Sequence, residues 1–152
     1  MSSRALILAL ASVVAPASAA EFPYEGVVTG AEVYVRSAPD NYPCLKLSRP
    51  ARVKVVGRAF GWLKILPPPG CFSLIAKSYV KAEGRTGTLT GTRVNVRAGS
   101  DLFPQRADVV QTQLDKPAKV TILGEQRIVL GGKPMAFYKI VPPPGVTLWV
   151  SA

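Results

Sequence analysis

The chain of 152 residues contains no histidine, which removes the commonest general base and imidazole metal ligand. Its two cysteines, Cys44 and Cys71, therefore have no imidazole to activate them, and a Cys-His nucleophile is ruled out. Asp40, Asp101, Asp108 and Asp115 are scattered without acid pairing at any motif spacing, and neither a Gly-rich phosphate loop nor a Cys-x-x-Cys knuckle occurs. A two-carboxylate glycosidase would need a paired site in a cleft, for which no spacing here gives a signal. The expectation is a protein that is not an enzyme and holds no cofactor or metal. The residue types that remain are aromatic. Tyr34, Tyr42 and Trp62 are the predicted ligand contacts, with Tyr79 nearby and Phe103, Phe137 and Trp149 at related places later in the chain. Such rings offer apolar area with little rotamer entropy to lose, which suits an extended peptide laid across them. The competing role for Trp62, Phe72 and Trp149 is to close the ends of small cores, which need every large apolar side chain they have.

The elements that must position these rings come twice. Thr29-Gly-Ala-Glu-Val-Tyr-Val-Arg36 returns as Thr90-Gly-Thr-Arg-Val-Asn-Val-Arg97, Pro50-Ala-Arg-Val-Lys-Val-Val-Gly57 as Pro117-Ala-Lys-Val-Thr-Ile-Leu-Gly124, and Lys64-Ile-Leu-Pro-Pro-Pro-Gly70 as Lys139-Ile-Val-Pro-Pro-Pro-Gly145. The chain is a tandem repeat. Within each copy, short stretches alternate apolar and polar residues with period two: Val33 and Val35, Val53 and Val55, Leu63 and Ile65, then Val94 and Val96, Val120 and Ile122, Tyr138 and Ile140. This predicts half-buried strands separated by Gly and Pro, and no stretch after residue 20 carries a helical period. Proline has no N–H for a strand ladder, so each Pro-Pro-Pro-Gly reads as a stiff strand-to-strand connection rather than a polyproline ligand. The second copy gains six residues before Pro117 and eight between Gly124 and Phe137. The latter hold Gly131-Gly132, a two-residue turn that lengthens a hairpin. Arg36 and Arg97 recur at the same place, which points to a shared structural role bridging loop carbonyls. Tyr34 is replaced by Asn95 and Trp62 by Phe137, so the first copy is the preferred binder.

Residues 1–20 combine Arg4, an 11-residue apolar run from Ala5 to Ala15, and Ala17-Ser-Ala19 before Glu21. That is the pattern of a secretory signal peptide, too short to span a bilayer, with a mature start expected at Ala20 or Glu21. The domain reading is residues 1–20 as signal peptide, 21–84 as first repeat and 85–152 as second repeat, with a secreted, periplasmic or cell-envelope location and no transmembrane segment. Removing residues 1–20 leaves 18 basic and 9 acidic side chains, a net of +9, of which +4 falls in 21–84 and +5 in 85–152. A positive field spread over both copies suits anionic wall polymers or lipid head groups, and equally serves solubility. No nucleic-acid motif accompanies it, so nucleic acid is not an expected partner.

The Thr-Gly-x-x-Val-x-Val-Arg start, the small-residue loop with an Asp that follows, the alternation after Pro50 and the Gly61-Trp62 strand together resemble bacterial SH3-like domains over most of residues 26–152. Val94-Asn-Val-Arg-Ala-Gly99 carries the likeness best; Val33-Tyr-Val-Arg-Ser-Ala-Pro39 departs at Tyr34 and Ala38. The resemblance implies an all-β chain of two tandem five-stranded, partly open barrels, used as a non-catalytic targeting module that holds an exported protein on peptidoglycan or its peptide. The partner expected is thus a cell-wall polymer or peptide. The alternative is a structural protein of the envelope whose barrels dock another exported protein. Exposed aromatics favour the first and aromatics buried between repeats the second.

Two further expectations come from aligning the copies. Cys44 and Cys71 align with Gln105 and Val146, so both thiols are lost together in the second copy, as a bonded pair would be. In an oxidising compartment a Cys44–Cys71 disulfide is expected, closing a loop of about 28 residues worth roughly 3 to 4 kcal/mol. Two separately buried thiols are the other reading. Leu74-Ile-Ala76 is followed by a short segment with Tyr79 and Val80, whereas its counterpart Trp149-Val-Ser151 is followed only by Ala152. The second barrel is therefore expected to lack its closing strand. That the chain is a fragment of a longer protein is the preferred explanation, and cover of the edge by the first repeat the other.

Overall fold

The structure is a computed structural model that describes residues 21–152; the signal peptide expected at 1–20 lies outside the described residues. The described residues are all-β. Thirteen strands run in chain order: β1 Tyr24–Val27, β2 Val33–Arg36, β3 Pro43–Leu47, β4 Arg52–Ala59, β5 Trp62–Ile65, β6 Ser73–Ala76, β7 Val80–Glu83, β8 Thr86–Leu89, β9 Val94–Ala98, β10 Val110–Leu114, β11 Lys119–Leu130, β12 Lys133–Ile140 and β13 Leu148–Ser151. A 3-10 turn, Lys77–Tyr79, joins β6 to β7, and no described helix is long and apolar enough to cross a membrane.

The strands form two antiparallel sheets rather than two closed five-stranded barrels. The first has six strands in the order β1-β4-β5-β13-β2-β3, the second seven in the order β10-β9-β6-β12-β11-β8-β7. Once β13 is matched with β6, the first order reproduces the second, with β7 as the one addition. Each repeat therefore gives its strand after the proline run to the other repeat's sheet. β13 lies between β5 and β2, with Leu148 opposite Ile65, Val150 opposite Leu63 and Trp149 opposite Arg36. β6 lies between β12 and β9, with Ile75 opposite both Tyr138 and Val96. The boundary at 84/85 that the repeat suggests thus does not separate the two sheets.

The proline runs account for the crossing. Pro67–Pro69 and Pro142–Pro144 offer no N–H to a ladder and hold an extended path of roughly 3 Å per residue. A tight return hairpin onto β5 or β12 is therefore excluded, and the chain is carried away from its own sheet. Gly70 and Gly145 then turn it at φ +95° and +93°, where a Cβ would be strained.

Both cores are built from equivalent positions plus one borrowed strand. Val35, Val53, Val55 and Ile65 pack with Leu148 and Val150 in the first; Val96, Val120, Ile122 and Ile140 pack with Ile75 in the second. Even the irregularities repeat, with register shifts at Val35/Arg36 and Val96/Arg97 and at Val55/Gly57 and Ile122/Gly124. The hairpin expected at Gly131-Gly132 is present, with Leu130 opposite Lys133 and both glycines at positive φ. The lengthened hairpin folds over the other face of the second sheet, where Ile128, Phe137, Phe72 and Leu74 make a third apolar cluster. Hydrogen bonds tie the halves together, among them that of the Tyr42 hydroxyl, which donates to the Ala98 carbonyl at 2.8 Å, and that of the Ser100 hydroxyl, which donates to the Pro43 carbonyl at 2.6 Å.

Two expectations are corrected here. The strand holding Val80 does close a sheet, but it is the second one, through β8; among the described residues the sheet without a counterpart is the first, at the outer edge of β1. Trp149-Val-Ser151 leaves no edge open, because β13 is paired on both sides. The expected Cys44–Cys71 disulfide is absent: both are thiols, Cys44 buried and Cys71 half-buried, in or against the first core cluster, where each fills space as a small hydrophobe.

Burial pushes Cys44 up from its ordinary value of 9.0 to about 12, and Cys71 likewise, with the neighbouring Cys44 adding to the rise. Because the folded values lie above the unfolded ones, the contribution of these two thiols to stability is complete below about pH 9 and is lost as pH rises towards 12. At pH 8 both thiols are expected to resist alkylation in the folded protein and both to react after denaturation without reductant. Recovery of no reactive thiol from the denatured, unreduced protein would show instead that the pair is bonded.

Candidate binding clefts

Alternation along β2 puts Val33 and Val35 towards the core and Tyr34 and Arg36 on the opposite face. The same logic on β5 turns Ile65 inward and leaves Trp62 and Lys64 with them. β13 runs between these strands with Trp149 facing Arg36 and Lys64, and Ser151 facing Trp62. Two strand spacings, roughly 10 Å, therefore separate the Tyr34 and Trp62 strands. The small Ser151 leaves the space between them open. The result is a cleft of about 290 Å³ lined by Glu32, Val33, Tyr34, Arg36, Trp62 and Ser151.

Charge is arranged around the rings. The Arg36 guanidinium sits 5.2 Å from the centroid of the Tyr34 ring and the Lys46 ammonium 5.9 Å; Lys64 lies 5.3 Å from the centroid of Trp149. Arg36 is fixed by donating from Nη1 to the Asn41 carbonyl at 2.8 Å, and Arg97 does the same to the Ala107 carbonyl at 3.0 Å. The loop-bridging role expected of this repeated arginine is therefore seen in both copies. Lys46 pairs with Glu32 at 3.3 Å, both well exposed, so the pair contributes little to stability and remains available to a charged ligand.

The equivalent surface of the second sheet holds a cleft of about 280 Å³, in which Asn95, Arg97, Phe137, Ala76 and Arg93 take the places of Tyr34, Arg36, Trp62, Ser151 and Glu32. Its aromatic floor is spent on packing. Phe137 is buried against Ile128 and Met135 of the lengthened hairpin, and Asn95 accepts a hydrogen bond from Gln113 at 2.9 Å. Tyr79, delivered by the crossing segment, lines this cleft and not the first.

Of the three predicted contacts, the structure brings Tyr34 and Trp62 into one cleft and takes Tyr42 away. Tyr42 is only 4% exposed; its hydroxyl bonds Ala98, and the Arg106 guanidinium covers its ring at 4.7 Å. Burial, partly offset by the Val109 N–H, pushes its pKa up to about 12. A ring enclosed in this way holds the two sheets together and offers nothing to a ligand. Ser151 and Glu32 went unnoticed as site residues. The available signal was the pairing of Ser151 with Ala76, small residues at the same place after each proline run.

Comparison with family models, curated proteins and solved structures finds no match for this chain.

Proposed function

We propose that the protein is an exported, non-catalytic binding module that attaches to cell-wall material, peptidoglycan or its peptide, through the first cleft. The observation that carries the reading is the convergence of Tyr34 and Trp62 on one face, 45% exposed at Tyr34, beside Arg36, Lys46 and Lys64. Two rings about two strand spacings apart can hold an extended chain between them, and the adjoining cations suit its carboxylates. The likeness of the repeated Val-x-Val-Arg segments to bacterial SH3-like domains supports the same ligand class, as does the leader expected at 1–20. The net charge of +9 on the mature chain adds a long-range attraction to an anionic wall.

Co-sedimentation with purified sacculi tests the reading. The protein is expected in the pellet at low ionic strength and, in reduced amount, at physiological salt, because screening weakens the charge contribution and leaves the ring contacts. Complete release at moderate salt would reduce the interaction to non-specific charge, and no pelleting at low salt would end the proposal.

A further inference from the structure

The two sheets differ in one element. In the second, β7 lies along the outer edge of β8, with Val80 opposite Leu89, Lys81 opposite Thr88, Ala82 opposite Gly87 and Glu83 opposite Thr86. Just before it, the Tyr79 carbonyl accepts a hydrogen bond from Thr90 N–H at 2.9 Å. Two glycines make room for this segment. A Cβ on Gly87 would come within 2.5 Å of a Val80 methyl, and one on Gly91 within 3.1 Å of the Tyr79 ring.

The first sheet keeps the receptor and has no occupant among the described residues. β1 corresponds to β8 and pairs with β4 in the same register as β8 with β11; no described strand lies along its other edge. Gly26 and Gly30 stand where Gly87 and Gly91 do. No described backbone group takes up Thr29 N–H as Tyr79 takes up that of Thr90. In place of Tyr79 and Val80 there is a groove of about 350 Å³ lined by Gly26, Val28, Gly30, Val53 and Leu63 among others. A Cβ on Gly26 meets nothing nearer than 3.4 Å. Val27, on this edge strand, is 49% exposed, an apolar edge of the kind that proteins ordinarily cover.

We propose that this edge is a β-strand-addition site. It receives an extended peptide from another polypeptide, antiparallel to β1, carrying an aromatic residue followed directly by a β-branched one, as Tyr79-Val80 do in the second sheet. Main-chain pairing to β1 supplies affinity, and the Gly26 and Gly30 hollows select the side chains. In the resident register the fourth residue of the pairing stretch falls opposite Glu25, where the second sheet has Thr86 facing Glu83. A basic residue there is preferred over an acidic one, since like charges directly opposite are destabilising. The site uses neither Tyr34 nor Trp62.

The test is titration of the protein with a fluorescent heptapeptide, Lys-Ser-Tyr-Val-Lys-Ala-Lys, with its Glu-ended form and with a scrambled control. Amide exchange is followed alongside. The Lys-ended peptide is expected to bind saturably and several-fold more tightly than the Glu-ended one, to slow exchange at Val27 and Thr29, and to lose at least about ten-fold in affinity to Gly26→Ala. That substitution leaves the free protein intact, because the added methyl has room until a Val side chain arrives. Absence of saturable binding into the millimolar range would overturn the proposal. So would binding unchanged by Gly26→Ala, or protection appearing along β8 through displacement of β7.

Discussion

Replacing Leu148 with Ala is expected to loosen the sheet formed by residues 24–65, more than eighty positions earlier in the chain, before the strands that precede it. Leu148 is 2% exposed, packs with Val35 and Ile65, and pairs through β13 with β5. Truncating such a leucine costs about 2 to 5 kcal/mol, a large share of the stability of a small domain. Ile75→Ala should do the reverse, weakening the second sheet, where Ile75 lies opposite Val96 and Tyr138. Native-state hydrogen exchange at low denaturant reads both, because it reports which cooperative unit opens first. For Leu148→Ala the amides of β2 and β5 should lose protection first, and for Ile75→Ala those of β9 and β12. If each substitution first exposed the strands of its own repeat, the strand exchange would be wrong.

Gly99→Ala is expected to cost about 2 to 3 kcal/mol, lowering Tm by roughly 10 °C. The position follows β9, and its φ is not positive, so the backbone itself accepts alanine. The obstacle is Phe72: a Cβ would lie 2.1 Å from its ring, held by the Gly99 N–H to Phe72 carbonyl bond of 3.2 Å. The corresponding places beside the first sheet hold Ala38 and Thr147, a larger residue beside a smaller one. The two costs should therefore not add. In a Phe72→Thr background, Gly99→Ala should cost under about 1 kcal/mol by thermal melts, a coupling that only direct contact gives. Equal costs in both backgrounds would place the strain elsewhere.

These two results bear on what the chain discloses before it is folded. Strand positions were legible because burial on one face writes a period of two into Val33, Val35, Val53, Val55 and their counterparts, and the Gly131-Gly132 turn because positive φ demands glycine. The partner of each strand was not legible. A repeat implies that each copy folds on itself, yet the copies are so alike that β6 fits either sheet, and alternation is the same in both. The proline run decides between them by forbidding a return hairpin, a geometric consequence that the stiffness of Pro67–Pro69 implied without giving the destination. For the site, Tyr34 and Trp62 could be singled out as rings on polar-facing positions. Tyr42 could not be told from them, since it is buried by Ala98 and Arg106, residues of the other copy. Ser151 was invisible as a floor residue until β13 was seen to run between β2 and β5.

The most direct measurement of the proposed function is sedimentation with sacculi at physiological salt for the parent, Tyr34→Ala, Trp62→Ala and Asn95→Ala, each checked for an unchanged melting curve. The cleft reading predicts that Tyr34→Ala and Trp62→Ala each reduce the bound fraction severalfold, as loss of a contact aromatic worth about 1 to 2 kcal/mol would, and that Asn95→Ala in the second cleft binds like the parent. Folded Tyr34→Ala and Trp62→Ala proteins that pellet as well as the parent would contradict it.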